Sequence, residues 1–458
     1  MTAARRIRRR RPVTAPPRVG LVGFFGEGNL GNDGSLEAML TYLRDEHPDA
    51  IIDVLCGTRP DRVAKRFAVP AARWRWFQAE RHSGLGLLER ATKVLGTALG
   101  VGVDAYRIGT WVRRHDVVIV PGMGVLEATL PLRPWQTPYL MFLTCGSSRV
   151  FATRVALVSV GANVIRQRLS KRLVVAAARY AHYRSFRDAG SRRAMRQMGL
   201  GVSGDRVYPD LAFSLPVPRS ESASAGSVGV GIMDYSGGND DRSDSEAIHA
   251  RYIDAMTRLV LWLADNDRPV VLLAGDTRDA RVIAGVLADV RAQRPALDRS
   301  AVTAAIPALS LGELMQQLDG VETVVATRFH SVLCALKLGK PTLAVGYAAK
   351  FDGLMAEMGF AEFSLPAKSI DVDVLIDRFN ELERKSGDYA ERTAECNAAN
   401  ERLLAEQFAE LSAALFDRAP ATLNLEIPRP EPQERADSSI TGSRRSTSRT
   451  LLLGDNDG

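Results

Sequence analysis

A chain of 458 residues, 46% hydrophobic, 7% aromatic and 25% charged, is long enough for two cores of ordinary size and has the composition of a globular protein. Its formal net charge of +7 has one source: Arg5, Arg6, Arg8, Arg9, Arg10, Arg11 and Arg18 have no acid among them, and without those seven the basic and acidic residues balance at 53 each. A neutral body argues against nucleic acid as a partner, and no apolar run of about 18 residues is present to form a membrane-spanning helix.

Residues 1–17, rich in Arg and Pro, are expected to be a disordered basic arm. The arginines resemble the start of an export signal, but no apolar stretch follows them. They are able to touch anionic lipid heads, which leaves a weak peripheral membrane contact open. Cys56, Cys145, Cys334 and Cys396 lie far apart with no Cys-x-x-Cys pair, so neither a zinc site nor a disulfide framework is indicated and a reducing cytosol is expected.

From Arg18 the pattern changes. Residues 19–25 predict a short buried strand, followed by a glycine-rich turn, an amphipathic helix over about 34–44 and a strand over 51–56. That alternation predicts βαβ units and a parallel sheet. Further Val- and Ile-rich strands are predicted over 116–120 and 154–160, each running into a glycine. Residues 216–227 (PVPRSESASAGS) have linker composition. A second series follows, with strands over 228–232, 269–274, 301–306, 323–326 and 342–345 and helices over 247–264, 278–294 and 311–317. A last helix covers about 389–416, and 419–458 is expected to be a disordered tail. The expected fold is α/β, with two Rossmann-like doubly wound domains, 18–215 and 228–418, facing a cleft. Ligands in such sheets sit beyond the carboxyl ends of the strands, so a functional motif should lie just after a strand.

Five motifs meet that test. The first is GFFGEGNLGNDG, from Gly23 to Gly34. Its glycines permit positive φ and close approach, and free N–H groups at the following helix start form an anion site in which Gly28, Asn29 and Gly31 are the candidate contacts. Asn32 or Asp33 is the expected helix cap. Gly26, Gly28 and Gly31 match a dinucleotide fingerprint only loosely, and no acid completes it, because Asp53 falls inside its strand. A tight structural turn is an equally good reading. The second motif, Pro121-Gly122-Met123-Gly124 after DVVIV, and the third, Arg187-Asp188 in SFRDAGS, have structural readings that outweigh functional ones in isolation; Arg187 is suited to fork onto a carboxylate or phosphate.

The fourth motif is the most pointed. Thr327 ends a strand, and Arg328 and His330 are expected in the first turn of the helix that follows. A cation there opposes the helix macrodipole, so Arg328 calls for a compensating anion. His330 titrates near neutrality and falls off the apolar stripe of Phe329, Val332, Leu333 and Leu336, which suits proton transfer. The fifth, GKPTLAVGYAAK, puts Lys350 beyond a buried strand, where it either adds charge to the same site or is a surface lysine.

Taken in order, GFFGEGNLGNDG, PGMG, SFRDAGS, YPDLAF, TRFHS with its Arg-x-His core and GKPTLAVGYAAK resemble the polysaccharide pyruvyl transferase family over about 18–360. The resemblance implies a GT-B-like fold and transfer of a pyruvyl group from phosphoenolpyruvate to two hydroxyls of a sugar, forming a cyclic ketal and releasing phosphate. It implies His330 as general acid/base and Arg328 as a clamp on the donor, with Arg187 and Lys350 as further candidates. No cofactor or metal is expected, and the partners are phosphoenolpyruvate and a sugar acceptor, free or lipid-linked. This chain departs from the family at PGMG, where a run of glycines is usual, and at Glu127, where Asp is common; both departures bear on acceptor choice. Two other readings compete. A nucleotide-sugar glycosyltransferase would use Arg328 and Lys350 to hold a diphosphate. A non-catalytic carbohydrate-binding or assembly protein would leave Arg187, Arg328, His330 and Lys350 scattered.

Overall fold

The computed structural model describes residues 15–74, 87–127, 134–218, 224–238 and 241–417. Most of the expected basic arm, the middle of the 216–227 segment and the tail from 418 lie outside the described residues.

Thirteen strands fall into two parallel sheets. The first takes Arg18–Val22 (β1), Ile51–Cys56 (β2), Ala71–Arg73 (β3), Val117–Pro121 (β4), Arg154–Val160 (β5), Tyr183–Phe186 (β6) and Arg206–Val207 (β7), in the order β3-β2-β1-β4-β5-β6-β7. The second takes Val228–Gly231 (β8), Val270–Leu273 (β9), Val302–Ala304 (β10), Thr323–Ala326 (β11), Thr342–Gly346 (β12) and Ser364–Pro366 (β13), in the order β10-β9-β8-β11-β12-β13. Residues such as Val118, Ile119, Val120 in β4 and Val324, Val325, Ala326 in β11 are wholly buried. Continuous rather than alternating burial is what a parallel sheet covered on both faces requires.

Helices cover those faces. In the first half they are Leu30–Glu46 (α1), Pro60–Phe67 (α2), Leu87–Arg113 (α3), Thr137–Phe151 (α4), Arg168–Tyr180 (α5) and Ala189–Gln197 (α6). In the second they are Ser245–Asp265 (α7), Ala280–Gln293 (α8), Leu311–Asp319 (α9), Phe329–Lys337 (α10), Ala349–Glu357 (α11) and Val372–Arg384 (α12). The last, Tyr389–Leu415 (α13), follows the second sheet in sequence but lies against the first. The Gln407 amide donates to Ser159 Oγ at 2.9 Å and Ser185 Oγ at 2.8 Å, and the Arg154 guanidinium donates to the Leu415 carbonyl at 2.9 Å. Tyr42 of α1 stacks on Phe408 and shares a hydrogen bond with Ser412 at 2.6 Å.

In each sheet one early strand is flanked by its sequence neighbour on one side and by a later strand on the other: β1 lies between β2 and β4, and β8 between β9 and β11. There the connections diverge to opposite faces and leave a crevice at the carboxyl ends. The glycine-rich loop follows β1, Pro121 to Gly124 close β4, and Thr327 to His330 follow β11. The two halves meet here, because Asn29 and Asp276 form an isolated antiparallel bridge.

The structure revises the local reading of two motifs. Helix α1 starts at Leu30, not near Gly34, and its cap is Asn29 rather than Asn32 or Asp33: the Asn29 side chain accepts from Gly31 N at 3.1 Å and Asn32 N at 3.2 Å. Asp33 turns back to accept from Gly26 N at 2.7 Å and pairs with Arg66 at 3.0 Å. Arg328 is the N-cap residue of α10, not part of its first turn.

Candidate active site

A cavity of about 520 Å³ opens between the strand ends of the two sheets. Its walls include Asn29, Arg187, Arg328, His330 and Lys350 among the residues singled out in the sequence. Gly31 lies directly under the His330 ring, and Gly28 faces Thr277 beside a second cavity. The four charged or titratable residues therefore converge, with Arg187 from the loop after β6, Arg328 and His330 from the loop after β11, and Lys350 from the start of α11 after β12.

His330 is enclosed. Its Nε2 stands 3.9 Å from the buried carboxylate of Asp210, and its ring meets Phe329 edge-on. Burial, with help from the nearby Lys350 and Arg187 charges, lowers its pKa to about 4 against the pull of Asp210. The resting imidazole is thus neutral at physiological pH.

Arg328 has the anion it calls for inside the protein. Its Nε donates to Asp279 Oδ2 at 2.8 Å and its Nη2 to Oδ1 at 2.7 Å. Asp279 is 0% exposed and also accepts from Asp234 N at 3.1 Å. The compensating anion that Arg328 calls for is here a protein carboxylate, 49 residues away in sequence at the head of α8. The bidentate fork fixes the guanidinium plane at the cavity wall. Gly275 permits this approach: a β-carbon there would lie 2.7 Å from Arg328 Cγ.

Arg187 is 9% exposed and is held by acids on several sides: Glu127 at 2.5 Å, Asp188 at 3.6 Å and Asp210 at 4.0 Å. Its Nε is a buried donor without a hydrogen-bond partner. Gly124 and Gly161 cradle this pair, since a β-carbon at either would collide with the Glu127 carboxylate at 2.4 Å. Lys350 differs from the arginines. Its ammonium lies over the rings of Phe329 at 5.1 Å and Tyr347 at 5.5 Å, and it has no carboxylate partner among the described residues. The Phe329 ring also carries the Arg187 guanidinium at 5.7 Å. A cation held over aromatic faces remains available to an incoming anion.

Sequence reasoning did not assign roles to Asp210 or Asp279, and it tied Glu127 to acceptor choice rather than to Arg187. YPDLAF contained Asp210, but β7 ahead of it is two residues long and gave no strand signal. Asp276 and Arg278, after β9, also line the cavity and pair with each other at 2.8 Å. Among the described residues no group of three or more His, Cys, Asp or Glu side chains is placed to hold a metal ion. Among them, too, no helix is long and apolar enough to cross a membrane.

Comparison with solved structures defines the architecture. HepE of Anabaena, solved with UDP, superposes with a TM-score of 0.52 at 11% identity, covering 87% of this chain and 99% of its own. A putative UDP-N-acetylglucosamine 2-epimerase from Listeria monocytogenes gives 0.54 at 10% identity over 86% and 96%. The 2-epimerase from Neisseria meningitidis gives 0.51 at 10% identity over 86% and 99%. At such identities the likeness is one of fold, a GT-B-like pair of Rossmann-like halves. No curated protein matches the chain. The family is shown by sequence: the model for polysaccharide pyruvyl transferase matches residues 29–348, from the helix cap of the glycine loop to the turn after β12, and the chain belongs to that family.

Proposed function

We propose that the cavity binds phosphoenolpyruvate and transfers its pyruvyl group to two hydroxyls of a sugar in a polysaccharide or glycolipid. The observation that carries this reading is the convergence of His330 with Arg187, Arg328 and Lys350 on one cavity within the matched family segment. Phosphoenolpyruvate bears a carboxylate and a phosphate, and anionic groups of that kind are recognised by converging guanidinium and ammonium donors. Lys350 supplies a donor not committed to a protein acid among the described residues, and the Arg187 Nε, 3.6 Å from Asp188 Oδ2, makes no hydrogen bond within the protein.

The bound donor also supplies the charge that His330 lacks. Its negative charges offset Lys350 and Arg187, the two cations that depress the imidazole, and favour the imidazolium. The imidazolium protonates the methylene carbon of the donor, leaving C2 electrophilic. One sugar hydroxyl bonds to C2 and loses its proton; the bond from C2 to the phosphate oxygen breaks and hydrogen phosphate leaves. The second hydroxyl then bonds to C2, loses its proton and closes the ketal. Of the two hydroxyl protons, one replaces that delivered to carbon and the other leaves with phosphate.

The test is phosphate release, which should require both phosphoenolpyruvate and a sugar acceptor. His330→Ala should abolish release while the melting profile stays that of a folded protein; unchanged turnover in that variant sinks the reading. A nucleotide-sugar glycosyltransferase is the alternative, raised by the UDP in the HepE structure. A thermal shift with UDP and none with phosphoenolpyruvate would decide for it.

A further inference from the structure

Gly28 and Thr277 line a second cavity of about 450 Å³, while their chain neighbours Asn29 and Asp276, joined by the interdomain bridge, line the first. We propose that this second cavity binds a lipid phosphate, the chain inside and the phosphate on Arg62 and Lys65 at its rim. Its volume is that of an ordinary small-ligand site.

The interior is apolar, built from Leu30, Val63, Phe67 and Ala308. Asp33, Arg66, Ser310 and Glu313, which border it, are already satisfied within the protein. Asp33 is bound by Gly26 N and Arg66. Ser310 Oγ accepts from Glu313 N at 2.9 Å, and the Glu313 carboxylate accepts from Leu309 N at 2.8 Å. Arg66 is taken up by Asp33 and by the Leu309 carbonyl. A nucleobase or a sugar, which needs free donors and acceptors along its edges, would find few here. A hydrocarbon chain needs none.

The rim supplies the second half of the match. Arg62 and Lys65 are exposed, line the cavity and have no ion-pair partner among the described residues. Also lining it, from the loop between β10 and α9, is Leu309, 58% exposed. An exposed apolar side chain at the mouth of an apolar cavity, next to unpaired cations, suits an amphiphile with an anionic head. Gly26 shapes the floor: its φ is +76° and a β-carbon there would lie 2.8 Å from Val63 Cγ2, so the loop packs directly on α2 only without a side chain. Under the pyruvyl-transfer reading this is where the lipid phosphate of a glycolipid acceptor is held, with its sugar passing the Asn29–Asp276 bridge towards His330. The site itself is inferred from the cavity alone.

Binding needs no turnover. Calorimetry on the full chain with farnesyl phosphate below its micelle concentration should show saturable binding at least about tenfold tighter than farnesol or inorganic phosphate. Two phosphate-surface cations at about 1 kcal/mol each predict that Arg62→Glu with Lys65→Glu weakens it by roughly 30-fold or more. Leu309→Asp should weaken it as well. The phosphoenolpyruvate-induced thermal shift of the double variant should equal that of the unaltered chain, so failure here leaves the donor reading standing. Absence of farnesyl phosphate binding, binding unchanged in the double variant, or displacement of the lipid by UDP overturns the proposal.

Discussion

The imidazole of His330 rests on the backbone of Gly31: a β-carbon at Gly31 would stand 1.8 Å from Cε1 and 2.1 Å from Nδ1 of the ring. The two residues lie in different halves, Gly31 in the first turn of α1 and His330 in the first turn of α10. The glycine therefore sets where the imidazole sits. Gly31→Ala forces the ring aside by an ångström or more. A displacement of that size at a reacting group costs about 100-fold in rate. Gly31 has no positive φ, and alanine is preferred in a helix by about 0.5–1 kcal/mol. Phosphate-release kinetics should show the fall in kcat while the midpoint of urea unfolding stays near that of the unaltered chain.

Under the proposed function, His330 should make phosphoenolpyruvate binding, as well as folding, depend on pH. The free imidazole is neutral above about pH 4, and a bound trianion favours its protonation. Binding of phosphoenolpyruvate near pH 7 should take up a proton, seen as a dependence of the binding heat on the buffer's ionisation enthalpy, and His330→Gln should remove that uptake. For stability, the folded pKa is depressed below the ordinary histidine value of about 6.5. The unfolded chain then holds the extra proton between the two values. The contribution is complete above about pH 6.5 and is lost as pH falls towards 4. His330→Gln should flatten the pH dependence of the denaturation midpoint in that window.

Arg328 and Asp279 form a pair that is harmful to break from one side. Asp279 is 0% exposed, so Arg328→Ala strands a buried carboxylate, at a cost of about 3–5 kcal/mol. Arg328→Lys keeps the charge but replaces the two-pronged contact by a point charge. Chemical denaturation should rank Arg328→Ala well below Arg328→Lys in stability, with both impaired in donor binding. Equal stabilities would show that the fork carries no weight.

That pair also marks where the sequence stopped being readable. The strands ending at Val160 and Ala326 and the Arg-x-His step after the latter were legible, because buried parallel strands are short Val- and Ala-rich runs bounded by turns. The partners of the cations were not: Asp279 is 49 residues from Arg328 and Glu127 is 60 residues from Arg187, and each meeting depends on which strand ends the topology places side by side. The two-residue β7 carries too little pattern to read, and in β6 Tyr183, Arg184 and Ser185 give no apolar run. Nothing in the periodicity of 389–416 tells that α13 returns to the first sheet. Buried Leu404, Leu411 and Leu415, the stack of Phe408 on Tyr42 and the polar contacts of Gln407 hold it there.

Lys350 separates charge from packing. Its ammonium sits on two aromatic rings and holds no acid among the described residues, so truncation leaves no buried charge behind. Lys350→Met should leave the melting temperature within a degree or two, yet raise the KM for phosphoenolpyruvate by about tenfold or more, the loss of one charge-assisted contact of about 1.5–3 kcal/mol. A large fall in stability with an unchanged KM would give Lys350 a structural part instead.

Gln407 on α13 tests whether that helix helps to aim the site. Its amide bonds the hydroxyls of both Ser159 and Ser185. Ser159 has a left-handed φ of +48° at an irregularity in β5, and the next residue, Val160, offers the carbonyl that accepts from Arg187 N at 3.3 Å. A strained serine persists only where its surroundings hold it. Gln407→Leu removes that hold and leaves two buried hydroxyls short of a partner, a loss of about 1–3 kcal/mol. If the bulge then relaxes, Arg187 shifts with it, and the KM for phosphoenolpyruvate rises although Gln407 lies outside the cavity lining. Gln407→Glu keeps an acceptor for one hydroxyl and should recover part of the stability. A Gln407→Leu protein with lowered stability and an unaltered KM would confine α13 to holding the two halves together.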